Sequence, residues 1–324
     1  MTHTIRVNRR RFLKSATAAC SMSVAGTFLE GLTFASENTL QNKKTVNFGF
    51  SLYGMRSLKT AEALKTCAKI GYDSVELVCT KGWPCDPEAL SSNDRKRIRG
   101  QLQDLNLKLP ALMENLHVVV DQKRHRSNLD RIQAAGELGY DLSPEHPPVM
   151  ETVLGGRPQQ WEPMKGKMVA GLKDWARTAE KAKTVIAIKA HVGGALHTPD
   201  DAKWLVNEVD SPWIKLAYDF SHFQLYDFDL KKSLQAMIDQ SVFIHVKDKS
   251  GTAEKFQFLL PGDGDIDYAV YFKLLKQSSY RESVVVEVSG QIHGKPGYDP
   301  VQAAKHSYAN LAPVLHKAGL RNGG

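Results

Sequence analysis

Residues 185–218 open with Val185-Ile186-Ala187-Ile188-Lys189-Ala190 and pass through a turn from His191 to Thr198. They continue from Pro199 to Val209 with apolar residues at three- and four-residue spacing, and end on Ile214-Lys215-Leu216-Ala217-Tyr218. A short apolar run, an amphipathic stretch and a second short apolar run predict one strand–helix–strand unit. The same alternation continues to either side. Strands are predicted at Val46–Leu52, Ser74–Cys79, Lys108–Met113, Pro148–Leu154, Val242–Val246 and Ser283–Val288. Helices are predicted at Ala61–Ile70, Arg95–Leu105, Ser127–Leu138, Lys167–Ala182, Leu230–Ile238, Tyr268–Lys276 and Pro300–Ala318. Continuous runs such as Val284-Val285-Val286 suit strands buried on both faces, as in a parallel sheet. Eight such units predict an α/β fold of one domain, a closed (β/α)8 TIM barrel. No GxGxxG follows the first strand and no P-loop occurs, which disfavours a nucleotide-binding open sheet.

The amino-terminal residues read differently. Arg9-Arg10-Arg11-Phe12-Leu13-Lys14 precedes a mild apolar stretch and the small-residue site Thr33-Phe34-Ala35. That pattern predicts a twin-arginine export signal over residues 1–35, a linker over 36–45, and the barrel over 46–320. The expected location is periplasmic or otherwise extracytoplasmic, with no membrane span in the mature chain. The net charge of +8 overstates the barrel's basicity. Half of it lies in the first 35 residues, where Arg6, Arg9, Arg10, Arg11 and Lys14 face only Glu30. The remainder makes no nucleic-acid footprint. Beyond the signal only Cys67, Cys79 and Cys85 remain, too few for a disulfide framework, although Cys79 and Cys85 are close enough in sequence to pair.

Barrel chemistry sits at the carboxyl ends of the strands. Those ends carry Glu151 on the fourth, Lys189 and His191 on the fifth, Asp219 and His222 on the sixth, His245 and Lys247 on the seventh, and Glu287 on the eighth. Carboxylates with an imidazole are the donor set preferred by a hard-to-borderline divalent ion such as Mn, Zn, Co, Fe or Mg. Glu287 and His245 stand among apolar neighbours, where a charge needs a partner.

Several segments resemble the xylose-isomerase-like TIM barrels grouped as sugar phosphate isomerases/epimerases, related to hexulose epimerases and the endonuclease IV family. They are Gly49-Phe50-Ser51-Leu52-Tyr53-Gly54, Ile70-Gly71-Tyr72-Asp73-Ser74-Val75-Glu76-Leu77, Tyr218-Asp219-Phe220-Ser221-His222-Phe223, and His245-Val246-Lys247-Asp248 with the following Pro261-Gly262-Asp263-Gly264-Asp265-Ile266-Asp267. The resemblance implies a divalent-metal site with Asp219, His245 and Glu287 as ligands. The fourth family ligand, a glutamate on the fifth strand, falls on Lys189. Two repairs are open: Glu151 supplies the missing carboxylate and Lys189 becomes an acid/base, or the metal is lost and Lys189 is a counter-ion for Glu151 and Glu287.

The expected activity is proton transfer on a sugar or keto-sugar through an enediolate, by an isomerase or epimerase with Glu287, Lys189 and Glu151 as catalytic groups. The alternatives are a lyase acting on oxidised glycosides through Lys189, and a non-catalytic sugar-binding barrel. His191, His222, Lys247, His117 and Trp161 are the expected substrate contacts, with a salt bridge to Asp248 as the competing role for Lys247 and loop packing as that for Trp161. The expected partner is a small carbohydrate, with no nucleic acid. A homo-oligomer is compatible with this class of barrel, but no interface is legible.

Overall fold

The computed structural model describes residues 45–322. The expected export signal and most of the linker lie outside them. Eight parallel strands close a barrel: β1 (Asn47–Ser51), β2 (Ser74–Val78), β3 (Ala111–Met113), β4 (Val149–Thr152), β5 (Ile186–Lys189), β6 (Ile214–Tyr218), β7 (Ser241–Val246) and, after an inserted hairpin, β10 (Ser283–Val286), which pairs with both β7 and β1. The hairpin, β8 (Asp248–Thr252) and β9 (Lys255–Leu259), is antiparallel and was not predicted. The eight units are thus as expected. β3 starts three residues late, at Ala111, because Pro110 has no N–H for the ladder.

The large helices are α1 (Thr60–Ile70), α2 (Ser92–Asp104), α3 (Gln122–Leu142), α4 (Trp161–Ala182), α5 (Pro199–Val209), α7 (Leu230–Met237), α8 (Tyr268–Gln277) and α10 (Pro300–Lys317); α6 (Phe220–Gln224) and α9 (Gly290–His293) are single turns. Local chemistry sets their ends. Thr198 caps α5 by accepting the Asp201 N–H, and Ser91 and Asp94 form a reciprocal capping box on α2. Gly71 closes α1 with φ +111°, a conformation that glycine alone adopts without strain. No helix among the described residues is long and apolar enough to cross a membrane.

Side chains on a strand alternate between faces. One interior layer consists of Ala111, Ala187, Ala217, Phe243 and Val285, with Val149 packed against it. It plugs the barrel with small and apolar groups. The next inward position, two residues further along, holds Glu151 above Val149, Lys189 above Ala187, Asp219 above Ala217, His245 above Phe243 and Glu287 above Val285. The strand period therefore lifts five ionisable groups onto one level, at the carboxyl end of the barrel and on an apolar floor.

Candidate active site at the carboxyl rim

Lys189 and Lys247 organise this level. The Lys189 ammonium lies 2.9 Å from His245 Nδ1, 3.2 Å from Glu287 Oε1 and 3.2 Å from Glu151 Oε1. Lys247 Nζ bonds Asp219 Oδ2, lies 2.6 Å from Glu287 Oε2 and 3.2 Å from His222 Nε2. Both lysines are buried. Glu287 is the carboxylate gripped by both ammonium groups, and its side chain keeps 11% exposure. Asp219 is held from below by its role as cap of α6, with Oδ1 accepting from the Ser221 N–H and hydroxyl.

Glu76 on β2 belongs to the same cluster. It is fully buried, and its Oε2 lies 3.0 Å from His245 Nε2. Glu76 was not among the expected site residues. A lone carboxylate in Ser74-Val75-Glu76-Leu77-Val78 was the available signal, because a charge inside an apolar strand needs a partner.

The electrostatics follow from burial and charge. Burial alone would lower Lys189, but Glu151 and Glu287 beside it outweigh that and hold its pKa well above the ordinary lysine value. Lys189 therefore stands charged between the two carboxylates. Burial pushes Glu151 up to about 6, against the pull of Lys189 and His245. Burial pushes Glu287 up as well, but Lys189 and Lys247 keep it well below the usual carboxylate range. Burial disfavours charge on His245 too, yet Glu76 at its Nε2 raises it above the ordinary histidine value.

Above this level lies a cavity of about 290 Å³, lined by Asn115, His117, Gly155, Gly156, Lys189 and His191, among others. Gly155 lets the His117 ring approach: a Cβ there would stand 2.6 Å from the ring, and its φ is +79°. His191 Nδ1 accepts the Gly193 N–H, so the neutral ring carries its proton on Nε2 as a donor. Burial, Lys189 and Lys247 push His191 down to about 4 and hold it neutral. His222 Nδ1 accepts the Val192 N–H in the same way, and its buried ring lies 4.3 Å from that of His191. The inserted hairpin roofs the cluster, with the Phe258 ring 4.8 Å from Lys247 Nζ. A larger cavity of about 600 Å³ opens at the amino ends of the strands, remote from these groups.

Three expectations change. Lys247 does not pair with Asp248, which instead accepts the N–H groups of Gly262 and Ile266 and anchors the hairpin. Trp161 is not at the mouth: it opens α4 and packs edge-on against Trp204, since an apolar face at a helix start is buried against the next helix. Trp83 is nearer the rim, stacked 5.2 Å from Tyr53, whose ring also makes a T-shaped contact with His293. Cys79 and Cys85 are buried free thiols.

Residues of ligating type do converge. Asp219, His245 and Glu287 bring donor atoms within 4.8 Å of one another, and so do Glu76, Glu151 and His245. Glu151 thus joins a second group instead of completing the first. Every donor that faces the first group is engaged: Asp219 Oδ2 by Lys247, His245 Nδ1 by Lys189, and the two Glu287 oxygens by one lysine each. A divalent ion sharing these donors would have to displace the ammonium groups that hold them. As they stand, the residues do not fit a divalent metal.

A closed parallel barrel with a buried carboxylate, lysine and histidine rim defines this chain as a TIM-barrel protein with a polar carboxyl-end site. It belongs to the xylose isomerase-like TIM barrel family, whose model matches residues 64–313. L-ribulose-5-phosphate 3-epimerase UlaE of Escherichia coli is 28% identical over 151 residues, 46% of this chain and 51% of that protein. Inosose dehydratase of Lactiplantibacillus plantarum is 28% identical over 144 residues, 40% of this chain and 47% of that protein. The chain thus spans about half the length of the curated relatives it matches. The fold is shared with the zinc-bound IOLI protein (TM-score 0.70, 22% identity, 84% of this chain and 99% of that one). It is also shared with L-ribulose 3-epimerase (TM-score 0.67, 17% identity, 85% and 96%).

Proposed function

We propose that the protein is a carbohydrate-processing enzyme of the isomerase/epimerase type, moving a proton on carbon beside the carbonyl of a sugar or keto-sugar. The observation that carries this reading is the grip of two buried ammonium groups on Glu287, the partly exposed carboxylate of the cluster, beneath a cavity lined by neutral histidines. The names of the relatives, two sugar epimerases and a dehydratase, support the substrate class.

The chemistry needs an acceptor for a carbon-bound proton and a cation for the oxygen that becomes negative. Glu287 takes the proton from the carbon next to the carbonyl. The C–H electron pair moves into the carbon–carbon bond, and the carbonyl pair moves onto oxygen. Lys247 and Lys189 donate hydrogen bonds to that enediolate oxygen. Both ammonium groups act from where they stand, sharing their charge between Glu287 and the new oxygen. His191 and His117 bind hydroxyls from the cavity wall. Return of the proton to the former carbonyl carbon, with the neighbouring hydroxyl giving its proton to the enediolate oxygen as it becomes the new carbonyl, yields the isomer; protonation of the original carbon on its other face yields the epimer. Glu151, behind Lys189, keeps that ammonium charged.

A divalent metal, implied by the family resemblance, needs both ammonium groups withdrawn, and no step is routed through one. Elimination of a β-hydroxyl from the same enediolate is the second reading, favoured by the similarity to a dehydratase. Export by the twin-arginine route rests on Arg9 to Lys14 and belongs to the proposal. The test is proton NMR in deuterium oxide with a panel of ketopentoses, ketohexoses and inososes. Deuterium entering carbon next to the carbonyl, abolished in Glu287→Gln, supports the assignment. Binding of those sugars with no exchange in any of them would leave a sugar-binding barrel.

A further inference from the structure

We propose that the rim is a metal-independent site, in which the ammonium groups of Lys189 and Lys247 stand permanently in the place of a divalent cation. The inference rests on the rim being the functional site proposed above, but its test reads metal uptake and needs no turnover.

Four observations combine. First, two ammonium groups carry the charge of one divalent ion, and they contact the same atoms such an ion would use: Asp219 Oδ2, His245 Nδ1 and both oxygens of Glu287. Second, both lysines are fixed. Lys189 has three polar partners with 3% of the residue exposed, and Lys247 is held by Asp219 and Glu287 with 2% exposed. Third, neither can swing aside without loss. Lys189 is enclosed by Glu151, His245 and Glu287, and Lys247 lies beneath Phe258 of the hairpin. Fourth, the alternative donor group shares the obstacle. Glu76, Glu151 and His245 also converge, but Lys189 Nζ is 3.2 Å from Glu151 Oε1 and 2.9 Å from His245 Nδ1. The second cradle opens only when Lys189 leaves, and the first only when Lys247 leaves Asp219 and Glu287 as well.

The chemical consequence is a fixed electrophile made of side chains. It needs no loading, is indifferent to chelators, and is specified by a lysine at position 189 rather than by the availability of an ion. A carboxylate at that position would reverse both terms, removing the cation and adding a ligand.

The experiment compares the full chain with Lys189→Glu/Lys247→Met and Lys189→Met/Lys247→Met. Each is stripped with EDTA, offered excess Co²⁺ or Zn²⁺, desalted, and assayed by elemental mass spectrometry, by the Co²⁺ absorption bands, and by melting with and without Zn²⁺. The wild type is expected to retain no stoichiometric ion and to show no Zn²⁺-dependent shift in melting. Lys189→Glu/Lys247→Met is expected to take up about one ion per chain, with ligand-field bands and a higher melting temperature when Zn²⁺ is present. Lys189→Met/Lys247→Met uncovers Asp219, His245 and Glu287 without adding a ligand, and keeps the test alive if the glutamate variant does not fold. It is expected to take up Co²⁺ where the wild type does not. One ion per wild-type chain, lost in the Asp219→Ala/His245→Ala double variant, would overturn the proposal. Uptake by neither double variant would overturn it as well, because removing both ammonium groups would then have uncovered no cradle.

Discussion

Replacing Lys189 by methionine should make the stability of this barrel depend on pH in a specific direction. The substitution keeps the aliphatic stem and removes the ammonium between Glu151, Glu287 and His245. Breaking one partner out of a buried ionic cluster leaves charge uncompensated and costs about 3–5 kcal/mol. Glu287 retains Lys247, so the loss falls chiefly on Glu151, which already sits at about 6 and loses the strongest of the attractions that restrain it. The folded-state pKa of Glu151 then climbs further above its unfolded value. A carboxyl raised on folding stabilises while it is protonated, and that contribution is lost as pH rises through the folded pKa. The variant should therefore match the wild type most closely near pH 5 and fall behind it steadily toward pH 8. For a domain of this size roughly 2 °C accompanies each kcal/mol, so the gap at pH 8 should reach about 6–10 °C. Calorimetry of both proteins at pH 5, 6, 7 and 8 measures it. A gap that is constant across those values would refute the reasoning, since the loss would then be one of packing and not of a buried carboxylate.

Three further outcomes follow from the same geometry. Lys247→Met, which takes one cation from the enediolate oxygen, should lower kcat by about 10²–10³ while changing KM little, read on whichever ketose shows exchange. Arg131 on α3 bonds Asp86 at 2.7 Å and Glu114 at 2.9 Å, tying together the loops after β2 and β3. Arg131→Met should cost about 3–5 kcal/mol, seen as a lower melting temperature without a change in metal uptake. His191 and His222 are both pushed down on folding, chiefly by burial. Their contribution is present above the unfolded histidine value and lost as pH falls below about 6.5, because the unfolded chain then binds protons that the folded one refuses. His191→Leu should remove part of that slope between about pH 6.5 and 4, measured as melting temperature against pH.

The alternation of strands and helices was legible because each depends on short-range patterning. Ile214–Tyr218 and Pro199–Val209 form as read, since a buried parallel strand demands an apolar run and a surface helix an apolar stripe. The position of the site was legible too: Asp219, His245 and Glu287 stand two residues beyond Ala217, Phe243 and Val285, and the period of a strand puts both members of each pair on one face. The hairpin was missed, although Lys255-Phe256-Gln257-Phe258 alternates polar and apolar residues, because it belongs to no β/α unit. Pairing across the barrel was beyond any reading of the chain. Alternation says that a side chain faces inward, but the stagger of the closed sheet decides whom it meets. Only tertiary structure could give Glu76 to His245, turn Lys247 from its neighbour Asp248 toward Asp219 and Glu287, and set Lys189 where its ammonium binds three groups from three other strands. The sequence by itself determined a barrel with a charged rim; the closure of that barrel decided which carboxylates its two rim lysines hold.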